Sequence, residues 1–98
     1  GAEKVIVGRN EEENNRLQTI AKSRGIPYLE AADYKGPITL YIGEEKPSLI
    51  EKAAAITIRY SDAPKDAPVK VIYRGGKERT MEIKTISMKN GELENLRI

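Results

Sequence analysis

A strand that turns directly into a helix near the start of the chain is the feature that most restricts the fold. Residues 4–7 are largely apolar and stop at Gly8, so they predict a short, mostly buried strand. Asn10 is a favourable N-cap, and Glu13, three positions later, completes a capping box. Apolar residues then recur at helical spacing as far as a glycine, which is typical of a helix end. We therefore predict a helix over residues 11–24.

Glycine and proline turns divide the rest of the chain into one helix and several extended segments. The predicted elements are an extended stretch at 26–29, a strand at 38–42, a helix at 47–60 and strands at 69–74, 79–87 and 92–97. Along 79–87 the apolar residues change from odd to even positions, which predicts a β-bulge near Lys84 or Thr85. The order β-α-β-β-α-β-β-β predicts an α+β domain in which two helices pack on one face of a mixed, mostly antiparallel sheet.

The composition excludes several kinds of catalytic and metal site. The 98 residues include no cysteine and no histidine, so disulfides, thiolate or imidazole catalysis and the usual zinc sites are ruled out. Nothing in the sequence pairs a nucleophile with an activating base, so we expect no enzyme activity and no cofactor or metal. No apolar stretch reaches the roughly 18–20 residues of a membrane helix. We expect a single cytoplasmic domain, residues 1–98, that is monomeric on its own and has no membrane partner.

Basic residues are concentrated toward the C-terminal end, although the net charge of the whole chain is only +2. Between residues 65 and 89, seven basic residues outnumber three acidic ones, which leaves a local charge of +4. The basic residues are Lys65, Lys70, Arg74, Lys77, Arg79, Lys84 and Lys89, and the acidic ones are Asp66, Glu78 and Glu82. Two interpretations stay open, namely the solvated face of a hairpin or a strip that faces phosphates.

The turn Gly8-Arg9-Asn10 is the first candidate binding site. Backbone N–H groups, the positive end of the helix dipole and the Arg9 guanidinium together suit a phosphate or a carboxylate. The glutamates at 11–13 oppose an anion on the helix end, so we expect Arg9 to reach away from them. The alternative is a capped turn in which Arg9 pairs with a neighbouring glutamate. Asn14 faces the apolar side of the same helix, and it either ties the helix to a nearby loop or contacts a base or sugar.

A second group of candidates lies on the second predicted helix and in the turns. Lys52 and Arg59 are seven residues apart and project to one flank of that helix, where they either grip two phosphates or cover apolar surface. Stacking on unpaired bases would require exposed aromatic side chains. Tyr34, in a turn, is the better candidate for stacking, whereas Tyr60 falls on the apolar face of the helix and is predicted to lie in the core.

Three short motifs occur in the same order as in a known family. Residues 7–14 (V-G-R-N-E-E-E-N) resemble the V-G-R-N-x-x-x-N opening of the NFACT RNA-binding domain. Residues 33–37 (D-Y-K-G-P) look like its D-x-x-G turn before a strand, and residues 53–61 look like its A-A…Y-S helix end. The matching residues are Gly8, Arg9, Asn10, Asn14, Gly36, Tyr60 and Ser61. The chain most resembles the variant found at the C-terminus of proteins similar to tRNA 2-thiouridylases.

Two positions depart from the pattern of that family. The family often has a tryptophan and a histidine in the strand before the D-x-x-G turn, where this chain has P-Y-L-E at residues 27–30. It also tends to have a lysine just after the Y-S pair, where this chain has Asp62. Contacts that those side chains make in the family are therefore not expected here.

The resemblance implies a non-catalytic RNA-binding module. Its RNA would be tRNA, and the module would form the C-terminal end of a thiolation-type tRNA-modifying enzyme whose catalytic domain lies elsewhere in the polypeptide. The candidate RNA-binding residues are Arg9, Asn10, Asn14, Arg16, Lys35, Lys52, Arg59, Lys70 and Arg74. The alternative is a protein-interaction module that docks a catalytic domain or a sulfur carrier. An exposed apolar surface shared by Ile6, Ile72 and Ile86 would favour that alternative.

Overall fold

Seven elements follow one another in the computed structural model, which describes residues 3–75 and 80–87. They are β1 (Lys4–Val7), α1 (Glu11–Arg24), β2 (Tyr28–Ala31), β3 (Thr39–Ile42), α2 (Pro47–Arg59), β4 (Val69–Arg74) and β5 (Thr80–Thr85). The strand predicted at 92–97 lies outside the described residues. The other predicted elements are present, with ends that differ by a few residues.

The five described strands form one sheet in the order β1-β3-β2-β4-β5. Each of the four neighbouring pairs is antiparallel, so the sheet is antiparallel throughout its described part. The two helices pack on this sheet, which confirms the predicted α+β class.

The two helices lie on opposite faces of the sheet, and the prediction that they share one face is wrong. Tyr28 and Leu29 are adjacent in β2 and both are buried, yet they belong to different core clusters. Tyr28 packs with Ala21 of α1, whereas Leu29 packs with Ile58 of α2. Because successive side chains of a strand point to opposite faces, the two clusters and their helices must be on opposite sides.

Helix α1 has the caps that the sequence predicts. The Asn10 side chain accepts a hydrogen bond from the Glu13 N–H at 2.9 Å, and the Glu13 carboxylate accepts one from the Arg9 N–H at 2.9 Å. Gly25 ends the helix in the left-handed conformation, with φ of 67°, and its N–H donates to the Ala21 carbonyl. An N-cap of this kind contributes about 1 kcal/mol to stability.

Helix α2 forms through a β-branched stretch because that stretch is buried. Pro47 occupies the first turn, where its missing N–H costs nothing, and the helix ends at Arg59, one residue before the predicted end. The buried hydroxyl of Thr57 has hydrogen-bond partners within the fold. It donates to the Ala53 carbonyl at 2.8 Å and is hydrogen-bonded to the Thr39 hydroxyl at 2.8 Å. The helix is therefore tied to β3 by polar as well as apolar contacts.

The register of β4 against β5 is continuous from Val69 opposite Thr85 to Arg74 opposite Thr80. The bulge predicted near Lys84 or Thr85 is therefore absent from residues 80–85, and that prediction is wrong. The change of parity has another cause, because β5 ends at Thr85 and Ile86 lies beyond it, where it is exposed.

Candidate nucleic-acid interface

The first motif is fastened to the start of β3 by Gly8 and Asn14. The Gly8 N–H donates to the Ile38 carbonyl at 3.0 Å, and the Asn14 Oδ1 accepts from the Ile38 N–H at 3.0 Å. A Cβ atom at Gly8 would overlap that Oδ1 atom, so a glycine is required for the asparagine to reach Ile38. The hydrogen bond supports the scaffold interpretation of Asn14, because its side-chain oxygen is used within the fold.

The second motif packs against the third in a similar way. The Asp62 N–H donates to the Lys35 carbonyl at 2.8 Å, and a Cβ atom at Gly36 would lie 2.6 Å from the Ser61 Cβ. The turn at 34–38 therefore contacts both the start of α1 and the end of α2. We call the surface formed by residues 8–10, 34–38 and 60–62 the motif edge, because all three sequence motifs meet there.

Two cations project from the motif edge. Arg9 and Lys35 are both exposed, and neither side chain has an ion-pair or hydrogen-bond partner among residues 3–75 and 80–87. The alternative in which Arg9 pairs with a neighbouring glutamate is therefore not seen. The backbone of each residue is nevertheless held in place, because the Arg9 N–H and the Lys35 carbonyl both take part in hydrogen bonds.

Two of the three glutamates in the first turn of α1, Glu12 and Glu13, have local partners. Glu13 accepts from the Arg9 N–H, and Glu12 pairs with the Arg16 guanidinium at 2.6 Å. The Glu12–Arg16 pair is about 70% exposed on both sides, so it is a weak interaction that water screens. Of the predicted RNA-binding residues at the start of α1, Asn10 caps the helix and the exposed Arg16 pairs with Glu12, whereas the Arg9 guanidinium has no partner within the described residues.

The two candidate RNA-binding residues on α2 do not lie close together. Arg59 is the last residue of the helix and is half-buried beside the motif edge. Lys52 is exposed two turns earlier, about 10 Å away along the axis. The structure thus brings Arg59, but not Lys52, close to the other candidates.

Lys70 and Arg74 share one face of β4. Lys70 is the nearer to the motif edge, because its carbonyl accepts from the Ala32 N–H at 3.0 Å, two residues before Tyr34. Arg74 is about 13 Å further along the strand and is 3.2 Å from the Glu30 carboxylate. Lys70 lies 3.8 Å from Glu82, too far for a strong ion pair.

Lys84 stands directly opposite Lys70 on β5, although the sequence did not single it out as a binding residue. Two like charges in register on neighbouring strands are destabilising, and the Glu82 carboxylate, 3.8 Å from the Lys70 ammonium on the same face, partly offsets them. Three other members of the basic strip, Lys77, Arg79 and Lys89, lie outside the described residues.

Lys65, one of the seven basic residues counted between positions 65 and 89, has a structural role. Its ammonium donates to the carbonyls of Ile58 at 2.8 Å, Ala63 at 2.9 Å and Ser61. It therefore caps the C-terminal end of α2, as a lysine just beyond a helix often does.

Tyr60 is 51% exposed, so the prediction that it lies in the core is wrong. The projection onto the apolar face assumed that the helix continues to residue 60, but Tyr60 has left helical geometry, with φ of −96° and ψ of 6°. Tyr34, the better candidate for stacking on its position in a turn, is also exposed, at 43%. The helix boundary was the signal that would have identified Tyr60 as a surface residue.

Other kinds of site are not found in this part of the molecule. No group of three or more acidic residues in 3–75 and 80–87 is arranged to hold a metal ion. Neither described helix has the length and apolar character needed to cross a bilayer.

Comparison with known proteins agrees with the geometry. The fold is similar to the C-terminal part of the fibronectin/fibrinogen-binding protein from Streptococcus suis, with a TM-score of 0.84 and 16% sequence identity. The similarity covers 100% of this chain and 46% of that one, so this chain spans less than half of the solved chain, and the likeness concerns the fold alone. No curated protein matches this chain. The family model described as the NFACT protein RNA binding domain matches residues 2–97, nearly the whole chain, and this chain therefore belongs to the NFACT RNA-binding domain family.

Proposed function

We propose that this RNA-binding domain contacts tRNA and serves a tRNA-modifying enzyme of the thiolation type, whose catalytic domain lies elsewhere in the polypeptide. The meeting of three motifs at one edge, with Arg9 and Lys35 turned outward, is the observation that carries the binding proposal. The tRNA and thiolation context rests on the resemblance of the motifs to the variant at the C-terminus of thiouridylase-like proteins. We also place the domain in the cytoplasm, where chains without disulfides are common.

Binding works through phosphate contacts from a rigid backbone. The planar Arg9 guanidinium suits a phosphate because it can donate two parallel hydrogen bonds, and Lys35 adds a second charge on the neighbouring turn. Lys70 and Lys84 extend the basic surface along the sheet. Because so few cations take part, we expect micromolar or weaker affinity for tRNA. The affinity should fall as salt is added, because binding depends on contacts with phosphates.

The alternative is a module that docks a catalytic domain or a sulfur carrier. The name of the Streptococcus suis protein refers to the binding of two proteins, fibronectin and fibrinogen, but this chain resembles it in fold alone. Ile6 and Ile86 are indeed exposed, at 41% and 48%. However, two strands, β3 and β2, lie between Ile6 on β1 and the half-buried Ile72 on β4. The side chains of these two strands on that face, Leu40 and Tyr28, are buried beneath α1. These residues do not form the continuous apolar surface that the alternative needs.

Titration of the chain with unmodified tRNA at several salt concentrations tests the proposal. Arg9→Ala should weaken binding several-fold and reduce the slope of log K against log salt by about one, because one phosphate contact is lost. Arg24→Ala is the matched control, since Arg24 is an exposed arginine at the other end of α1, about 21 Å away. It should leave both quantities unchanged.

An unstructured RNA and a hairpin of the same length as the tRNA serve as competitors. Preference for tRNA over both supports the finer proposal. Absence of binding at low salt, or binding that does not respond to salt, would show that the phosphate mechanism is wrong.

A further inference from the structure

Two exposed tyrosines stand at the motif edge, and nothing in the phosphate mechanism uses them. The other three tyrosines, Tyr28, Tyr41 and Tyr73, are almost completely buried. Tyr34 and Tyr60 instead leave about half of their surface in water, although each sits next to a hydrogen-bonded segment. An aromatic ring that is half exposed to water is available for contact with a ligand, and tyrosine is enriched at interfaces.

The backbone brings the segments that carry the two tyrosines side by side. Tyr34 directly precedes Lys35, whose carbonyl is bonded to the Asp62 N–H, and Tyr60 lies two residues before Asp62. Each tyrosine is therefore within about 7 Å of that hydrogen bond along the chain. The close approach of Gly36 to Ser61 keeps the two segments side by side.

The turn that carries Tyr60 is held by several side-chain hydrogen bonds. The Ser61 hydroxyl donates to the Ile58 carbonyl at 2.7 Å and accepts from the Ala63 N–H at 3.1 Å. The Lys65 ammonium donates to three carbonyls of the same turn. A ring presented from a rigid backbone loses less conformational entropy when it binds than a ring on a mobile loop does.

We propose that Tyr34 and Tyr60 stack on unpaired bases of the bound RNA while Arg9 and Lys35 hold adjacent phosphates. Stacking needs a free base face, which loops, bulges and single strands offer and a continuous duplex does not. The domain therefore selects unpaired RNA segments by their structure and is tolerant of their sequence. This inference rests on the RNA binding proposed above.

The test compares two probes, a 12-nucleotide RNA of mixed sequence and the blunt duplex that it forms with its complement. Tyr34→Leu and Tyr60→Leu should each weaken binding of the single strand by on the order of tenfold, because a base loses its stacking partner. Tyr34→Phe and Tyr60→Phe keep the ring and should bind within about twofold of the parent chain. Ile20→Ala removes an exposed apolar side chain from α1 and should have no effect.

Tyrosine fluorescence gives a second readout, because the chain contains no tryptophan. Stacking should quench emission when the single strand binds, and the quenching should disappear in the double Leu variant. Thermal unfolding of each variant checks that the fold is retained, which we expect because both side chains are largely outside the core.

The possible outcomes distinguish the stacking inference from the proposal that the domain binds RNA. Loss of single-strand binding in the Leu variants, with retention in the Phe variants, supports stacking. Equal affinity of the parent chain for strand and duplex, or Leu variants that bind normally, would overturn the stacking role and leave RNA binding intact. Failure of the parent chain to bind either RNA or tRNA would overturn both.

Discussion

At the scale of single residues, the motif edge depends on small side chains that let other groups come close. Gly8 leaves room for the Asn14 oxygen, and Gly36 leaves room for the backbone of Ser61. The requirement at both positions is steric and does not come from a positive φ, since the glycines with positive φ among residues 3–75 and 80–87 are Gly25 and Gly43. Matches in the family motif thus have two different roles: Arg9 reaches outward, while the glycines and Asn14 hold the turn that presents it.

Gly8→Ala should destabilise the chain by about 2 kcal/mol, because Asn14 must move and leave the Ile38 N–H without its acceptor. In an Asn14→Ala background the new methyl group meets no side-chain amide, so the same change should cost much less. Chemical unfolding of the two single variants and the double variant measures this coupling. Costs that simply add would show that Gly8 and Asn14 act independently.

At the scale of elements, ion pairing joins the beginning of the sheet to the turn before α2. Glu3, just ahead of β1, lies 2.9 Å from the Lys46 ammonium, just ahead of Pro47. The backbone of Glu3 also packs closely against Gly43, where a Cβ atom would lie 2.8 Å from the Glu3 Cα. The hydrogen bond from Lys46 lowers the pKa of Glu3, and the same bond raises the pKa of Lys46.

This pair should make a small contribution to stability that depends on pH. Because the pKa of Glu3 is lowered in the folded chain, the contribution is present above the ordinary glutamate value of 4.5 and is lost as the pH falls through the lowered pKa. The raised pKa of Lys46 keeps the ammonium charged through this whole range. Glu3→Gln should therefore lower the melting temperature at pH 7 more than at pH 3, and Glu44→Gln, a change to an exposed neighbouring acid, should not. Equal effects of Glu3→Gln at both pH values would argue against the pair.

At the scale of the whole molecule, one sheet supports two unequal layers. The α2 side holds the larger core, with Tyr41, Tyr73 and Leu29 fully buried, and α2 itself buries six residues. The α1 side has a smaller cluster, and Ala21 is the one residue of α1 that is fully buried. The motif edge joins the start of the weakly held helix to the end of the strongly held one.

Amide hydrogen exchange should reveal this difference. Protection in α2 should approach the free energy of global unfolding, whereas α1 should exchange through a local opening of lower free energy, because it buries less apolar surface. Uniform protection of both helices would mean that the two layers unfold as one unit. The measurement uses the chain without RNA.

The sequence alone is enough to predict most of the secondary structure and the family motifs, because both depend on interactions between residues close together in the chain. Caps, turns and hydrophobic periodicity act over a few residues, so the helices, the strands up to Thr85 and the family motifs could be found without the structure. The face on which each helix packs could not, because β2 and β3 are apolar on both sides and periodicity does not say which helix covers which side.

Only the tertiary structure decided which residues meet. Tyr60 became a surface residue because α2 ends one residue earlier than its pattern indicates, and Lys65 became a cap because three carbonyls converge on it. The contact of Gly36 with Ser61 joins positions 25 residues apart, and such pairings depend on packing across the whole sheet. The sequence by itself could name Arg9 as a candidate, but only the fold placed Lys35 and two tyrosines on the same edge.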